Sequence, residues 1–174
     1  MILDLTRLVE GRLEESFRLV PGSPVLEGLD GEILEPFELD ATLLQASAGT
    51  YMLDAHLSGA LARPCRRCLV PVELGVDDRF RVAYQVSDGN VEPEDDDLVL
   101  LEAAVTRIDL TGVVRARLFL GTEAYPLCRE ECAGFCPHCG QDLNVGTCSC
   151  QPVVNESSWA EALQAVRDRV QEPS

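Results

Sequence analysis

The chain has 174 residues, with 14 arginines and no lysine against 30 acidic residues, for a net charge of −16. That length buries one proper core, so its cysteines need not stand in for a missing one. The charge repels a nucleic-acid backbone over most of the surface and suits a basic partner such as a ribosomal protein, or simply solubility. The N-terminus, MILDLTRLVEGRLEES, has no apolar stretch of signal-peptide length, and no later segment reaches the roughly 20 apolar residues of a membrane span. A cytoplasmic protein without membrane contact is expected.

In chain order, a short strand is expected around Phe17 to Val20, followed by the PGSP and GLDG turn signals. Phe37, Leu39, Ala41 and Leu43 then alternate with polar residues, and Tyr51, Leu53, Ala55, Leu57 and Leu61 repeat the pattern, which predicts two adjacent antiparallel strands. The longest alternation runs through Val72, Leu74, Val76, Phe80, Val82, Tyr84 and Val86, with Glu73, Asp77, Arg79 and Arg81 on the wet face. Between these last two strands lies CRRC, bracketed by Pro64 and Pro71 in a hairpin-like loop.

Residues 87–97, SDGNVEPEDDD, predict an exposed acidic loop that lacks the ligand pattern of a calcium site. Asp109 is placed to cap a helix with the stripe Leu110, Val113, Val114, Arg117 and Leu118. At the C-terminus, Ser158 and Glu161 form a capping box, and Trp159, Ala162, Leu163, Val166 and Val170 repeat at helical spacing. The expected fold is α+β: a mostly antiparallel sheet, partly closed and barrel-like, with one or two helices and a C-terminal zinc-knuckle module. Its expected parts are a β-rich domain over 1–127, a cysteine-rich module over 128–150 and an amphipathic helix over 151–174.

Six of the eight cysteines fall between Cys128 and Cys150. In CPHCG a tight turn brings Cys136 and Cys139 within reach of one ion, and the glycine allows the positive φ such a turn needs. Cys148 and Cys150 point to one face of an extended segment and close a tetrahedron with that pair. Cytosolic thiols stay reduced, so this pattern favours metal over disulfides.

Three arrangements compete. Two zinc ions can take four thiolates each, one from Cys136, Cys139, Cys148 and Cys150, the other from Cys65, Cys68, Cys128 and Cys132. One zinc can instead bind CRRC with two C-terminal thiols, leaving the rest free. The CxxxCxxC spacing of Cys132, Cys136 and Cys139 matches radical enzymes, but too little chain follows it for their barrel; a non-catalytic iron–sulfur cluster is a lesser alternative to zinc.

Beyond the cysteines, catalytic constellations are thin. His56 falls on the polar face of a strand and His138 inside the knuckle turn, both more structural than catalytic. No phosphate-cradling glycine loop and no nucleophile elbow is present, so neither an enzyme nor a small-molecule substrate is expected. A thiol redox sensor using the Cys65/Cys68 pair is the alternative function, although the period-two context lacks the helix N-terminus that activates such a dithiol. Arg63, Arg66 and Arg67 around CRRC are candidate partner-binding residues.

CRRCL after a strand, IDLTGVVRARLFL leading to YPLCREEC, and AGFCPHCGQDLNVGTCSC before a tryptophan-bearing helix together resemble the bacterial YceD family, from about Phe37 to the C-terminus. The resemblance implies a role in accumulation of large-subunit (23S) ribosomal RNA, hence ribosome biogenesis, through a large-subunit ribosomal protein, precursor rRNA, or both. Some family members lack the C-terminal cysteines and keep the earlier one. That implies a functional role for Cys65, Cys68, Arg66 and Arg67 and a stabilising one for the C-terminal module.

Overall fold

The computed structural model describes residues 1–87 and 98–150. The acidic loop expected from 88 onwards and the helix expected over 151–174 therefore lie outside the described residues. The chain divides after Cys132 into two compact units.

The first unit is built on a five-stranded sheet in the order β2 (Arg12–Leu19), β3 (Glu32–Ser47), β4 (Thr50–Pro64), β5 (Pro71–Val86) and β6 (Leu98–Leu101). The β2–β3, β3–β4 and β4–β5 pairs are antiparallel, as the alternation predicts. Phe37, Leu39, Leu43, Leu53, Leu57 and Leu61 are fully buried on one face, while Asp40, His56 and Arg79 lie abreast on the other. One wet face is what antiparallel sheets tolerate.

The expected barrel-like closure is corrected: the sheet is open, with β2 and β6 as its two edges. β6 is four residues long and joins β5 in parallel, so it offers too short an edge for closure onto β2. A second ribbon pairs β1 (Ile2–Asp4) with β7 (Arg107–Asp109) and buries Leu3 and Ile108. The buried face is then covered by helix α1 (Thr111–Gly121) and the 3-10 turn Pro24–Leu26, with Val114 and Leu118 fully enclosed.

Asp109 caps α1 from one residue further out than a normal N-cap. Its Oδ1 accepts from the Thr111 amide at 2.8 Å and the Thr111 hydroxyl at 2.6 Å. Those bonds to Thr111, strongest from the hydroxyl, hold its carboxyl below the usual carboxylate range. Arg117 belongs on the helix's buried side because its guanidinium lies 5.1 Å from the Phe80 ring centroid, where the π face accepts a cation.

The β3–β4 register shifts twice between Ile33 and Glu38, around Pro36, which has no N–H to give the ladder. Opposite this bulge the Phe37 ring crosses the β4 backbone at Gly59, where an added Cβ would meet Phe37 Cδ1 at 2.4 Å and its Cα at 2.9 Å. Gly59→Ala is expected to destabilise the sheet unit by about 2–3 kcal/mol, because backbone as well as ring must shift. The midpoint of denaturant unfolding with unchanged slope is the measurement.

Candidate metal centres

The β4–β5 hairpin ends in the CRRC turn. Cys65 donates its amide to the Val70 carbonyl at 2.8 Å, and Leu69 donates to the Cys65 carbonyl at 3.0 Å. In the second unit, Cys136 donates to Gln141 at 2.8 Å and Gly140 donates to Cys136 at 2.9 Å. The two turns share one hydrogen-bonding pattern at the same spacing, so each CxxC unit is a knuckle of the same design. The residue after the second cysteine is left-handed in both, with φ of 59° at Leu69 and 72° at Gly140. Glycine adopts that conformation freely, whereas leucine pays roughly 1–2 kcal/mol for it.

Each knuckle gathers two further cysteines. Cys65, Cys68, Cys128 and Cys132 form one tetrad and Cys136, Cys139, Cys148 and Cys150 the other, with the sulfurs in each lying within 4.8 Å of one another. Of the triplet Cys132, Cys136 and Cys139, the first thus belongs to one tetrad and the other two to the second. CRRC gathers its partners from within the first unit.

In the hairpin tetrad the Sγ atoms of Cys65 and Cys132 are 3.8 Å apart and those of Cys68 and Cys128 3.5 Å. A tetrahedron with metal–sulfur bonds of about 2.3 Å has edges of about 3.8 Å, so this spacing fits a tetrahedral ion. All eight cysteines are free thiols. Either tetrad could hold a metal ion.

The thiols' electrostatics point the same way. Burial opposes ionisation of Cys65, but amide donors from Arg67, Cys128 and Cys68 outweigh it and bring the thiol down to about 6. The amides of Cys139 and His138 likewise bring Cys136 to about 6 against its burial. Cys128 is pushed up to about 12 by its hydrogen bond with Cys68, and Cys150 to about 12 by its bond with Cys139. In each tetrad, then, backbone amides ease one thiol toward ionisation while a hydrogen bond to a neighbouring sulfur holds another back from it.

The settings differ. Cys65, Cys68 and Cys132 are buried beside Val72 and Leu127, and Cys128 is exposed. In the second unit Cys136 is buried, Cys139 exposed, and Cys148 and Cys150 are half-exposed. Among residues 133–150, Cys136 is the single apolar side chain of the buried core. Polar bonds shape the rest, such as Ala133 N–H to Asn144 Oδ1 at 2.8 Å and the Gln141 side chain to the Thr147 carbonyl at 3.1 Å.

The three arginines separate. Arg63, expected at the partner surface, is buried, its Nε donating to the Asp30 carbonyl and its Nη1 to the Glu123 carbonyl, both at 2.8 Å. Its role is to tie loops to the sheet. Arg67 is exposed but sends Nη1 to the Cys132 carbonyl at 2.6 Å, so it braces the tetrad. Arg66 presents its side chain to solvent, while its amide donates to the Pro126 carbonyl at 2.9 Å.

His56 is bound to Asp77 at 2.7 Å on the wet face of the sheet, and His138 is exposed and outside the sulfur cluster. Sequence reasoning missed the apolar surface at the hairpin tip, where Leu69 is 64% exposed and Val70 50%. The signal was available in the comparison of CRRCL with CPHCG, where leucine stands in glycine's place.

The class defined is an open antiparallel-based sheet carrying a tetracysteine knuckle, with a second tetracysteine knuckle in the other unit, each able to hold a metal ion. Residues 53–166 match the family model described as large ribosomal RNA subunit accumulation protein YceD, a span that includes all eight cysteines. The chain belongs to the YceD family. No curated protein and no solved structure matches it significantly. Among the described residues no helix is long and apolar enough to cross a membrane.

Proposed function

We propose that the protein is a non-enzymatic, cytoplasmic ribosome biogenesis factor that supports accumulation or processing of 23S rRNA, with zinc in both tetrads. The observation that carries this is the family match across β4, β5 and both knuckles. Zinc suits two closed sets of four thiolates, in which no ligand position is left open for substrate chemistry. A net charge of −16 favours a basic ribosomal protein as the direct partner over wide contact with rRNA.

The experiment is the ratio of mature 23S to 16S rRNA in cells lacking the gene, with and without the wild-type chain restored. A fall in that ratio that the wild-type chain reverses is the expected result. An unchanged ratio and unchanged large-subunit precursors would overturn the proposal. A pull-down with and without ribonuclease separates the partners, since direct protein contact survives RNA digestion.

A further inference from the structure

The tip of the β4–β5 hairpin has a feature that folding does not explain. Leu69 occupies the left-handed position that the other knuckle fills with Gly140, and its side chain is 64% exposed, so the fold gains little from it. Val70, next to it, is 50% exposed. Arg66 projects from the same turn, and its amide donates a hydrogen bond to the carbonyl of Pro126, the residue that follows the 70%-exposed Tyr125 in the chain. Strain held at an exposed apolar residue, on a turn braced by Arg67 and four clustered sulfurs, marks a preorganised contact point.

The chemistry of the tip selects the occupant. Exposed Arg66, Arg67 and Arg129 are balanced by exposed Glu123, Glu130 and Glu131 on the segment that passes the knuckle, so the local charges cancel and no net positive field is available for phosphates. What remains is an aliphatic pair with an aromatic and an arginine, the composition of a protein-interface centre. The acidic body attracts a basic polypeptide over long range. We infer that Leu69, Val70, Tyr125 and Arg66 form the apolar anchor by which the acidic body docks a lysine- and arginine-rich protein. This rests on the reading of the chain as a ribosome biogenesis factor and specifies the surface and partner class it uses.

The test uses the purified full chain and its Leu69→Gly variant, with Leu69→Asn as a second variant that also tolerates a left-handed backbone. The probes are RNA-free proteins extracted from large ribosomal subunits and, separately, protein-free large-subunit rRNA. Both variants are expected to keep the wild-type metal content and a melting temperature at or above wild type. Their affinity for the retained basic protein is expected to fall about tenfold or more.

Equal binding by the variants would overturn the anchor and leave the biogenesis role standing. Binding of the wild-type chain to rRNA and to none of the proteins would overturn the protein-docking inference, again without touching that role. Binding to neither probe would overturn the inference, and an unchanged rRNA ratio in cells lacking the gene would separately remove the role on which it rests.

Discussion

Replacing Cys65 with serine is expected to lower bound metal from two equivalents to one and to destabilise the sheet unit by about 4 kcal/mol. The size follows from chain geometry. The hairpin tetrad joins Cys68 to Cys128 across 60 residues, and a cross-link that closes a loop of that length removes about 4 kcal/mol of unfolded-chain entropy. Serine supplies no thiolate, and the three remaining sulfurs, two of them buried, are left with an incomplete shell around the ion.

Cys148→Ser is the matched control. Its tetrad draws all four ligands from Cys136 to Cys150, so losing that ion unfolds the small module and leaves the sheet unit's stability within about 0.5 kcal/mol. Metal analysis with denaturant unfolding of both variants checks the pair. If Cys65→Ser keeps both metals and wild-type stability, the hairpin cysteines have a role other than holding an ion, such as thiol redox chemistry.

Chelation is expected to remove the metals in two phases. The C-terminal ion should leave first, because Cys139 is exposed and Cys148 and Cys150 are half-exposed, so a chelator can begin ligand exchange on the folded protein. A hairpin ion would offer solvent one exposed ligand, Cys128, while the buried Cys65, Cys68 and Cys132 kept hold of it, so its full release would require the β4–β5 tip to open away from the 128–132 segment. The second phase should therefore coincide with loss of the sheet's circular dichroism, whereas the first should not. Acid moves both phases the same way, since protons compete with metal for the thiolates: release is easier as pH falls and harder as it rises. A single phase with simultaneous loss of both ions would show that the two centres are energetically one.

Much of the sheet was legible because burial on one face imposes a period of two, and the residues named from Phe37 to Tyr84 take their sides accordingly. The open sheet and the parallel β6 were not legible, because four residues of LVLL carry no sign of partner or direction. Neither was the β1–β7 ribbon, whose three-residue strands are too short to show a period. The bulge at Pro36 and the ring contact at Gly59 arise from tertiary crowding, although Pro36 was a local warning.

At the candidate site, spacing offered two sets of four sulfurs as one of three arrangements: the CxxC and CxC units each present two ligands to one point, but the CxxxC pair Cys128 and Cys132 carried no such sign. What spacing could not reveal was burial. Arg63, Arg66 and Arg67 look alike in sequence, yet one is buried and ties loops to the sheet, one braces a cysteine carbonyl and one faces solvent. Leu69 was hidden for a related reason: its importance lies in a backbone angle that its residue type does not favour.

The most direct measurement is metal content with X-ray absorption at the metal edge on freshly purified full-length protein. Two zinc equivalents per chain, each with four sulfur neighbours at about 2.3 Å, are the predicted result. Protein without bound metal whose eight cysteines are paired as disulfides would contradict it.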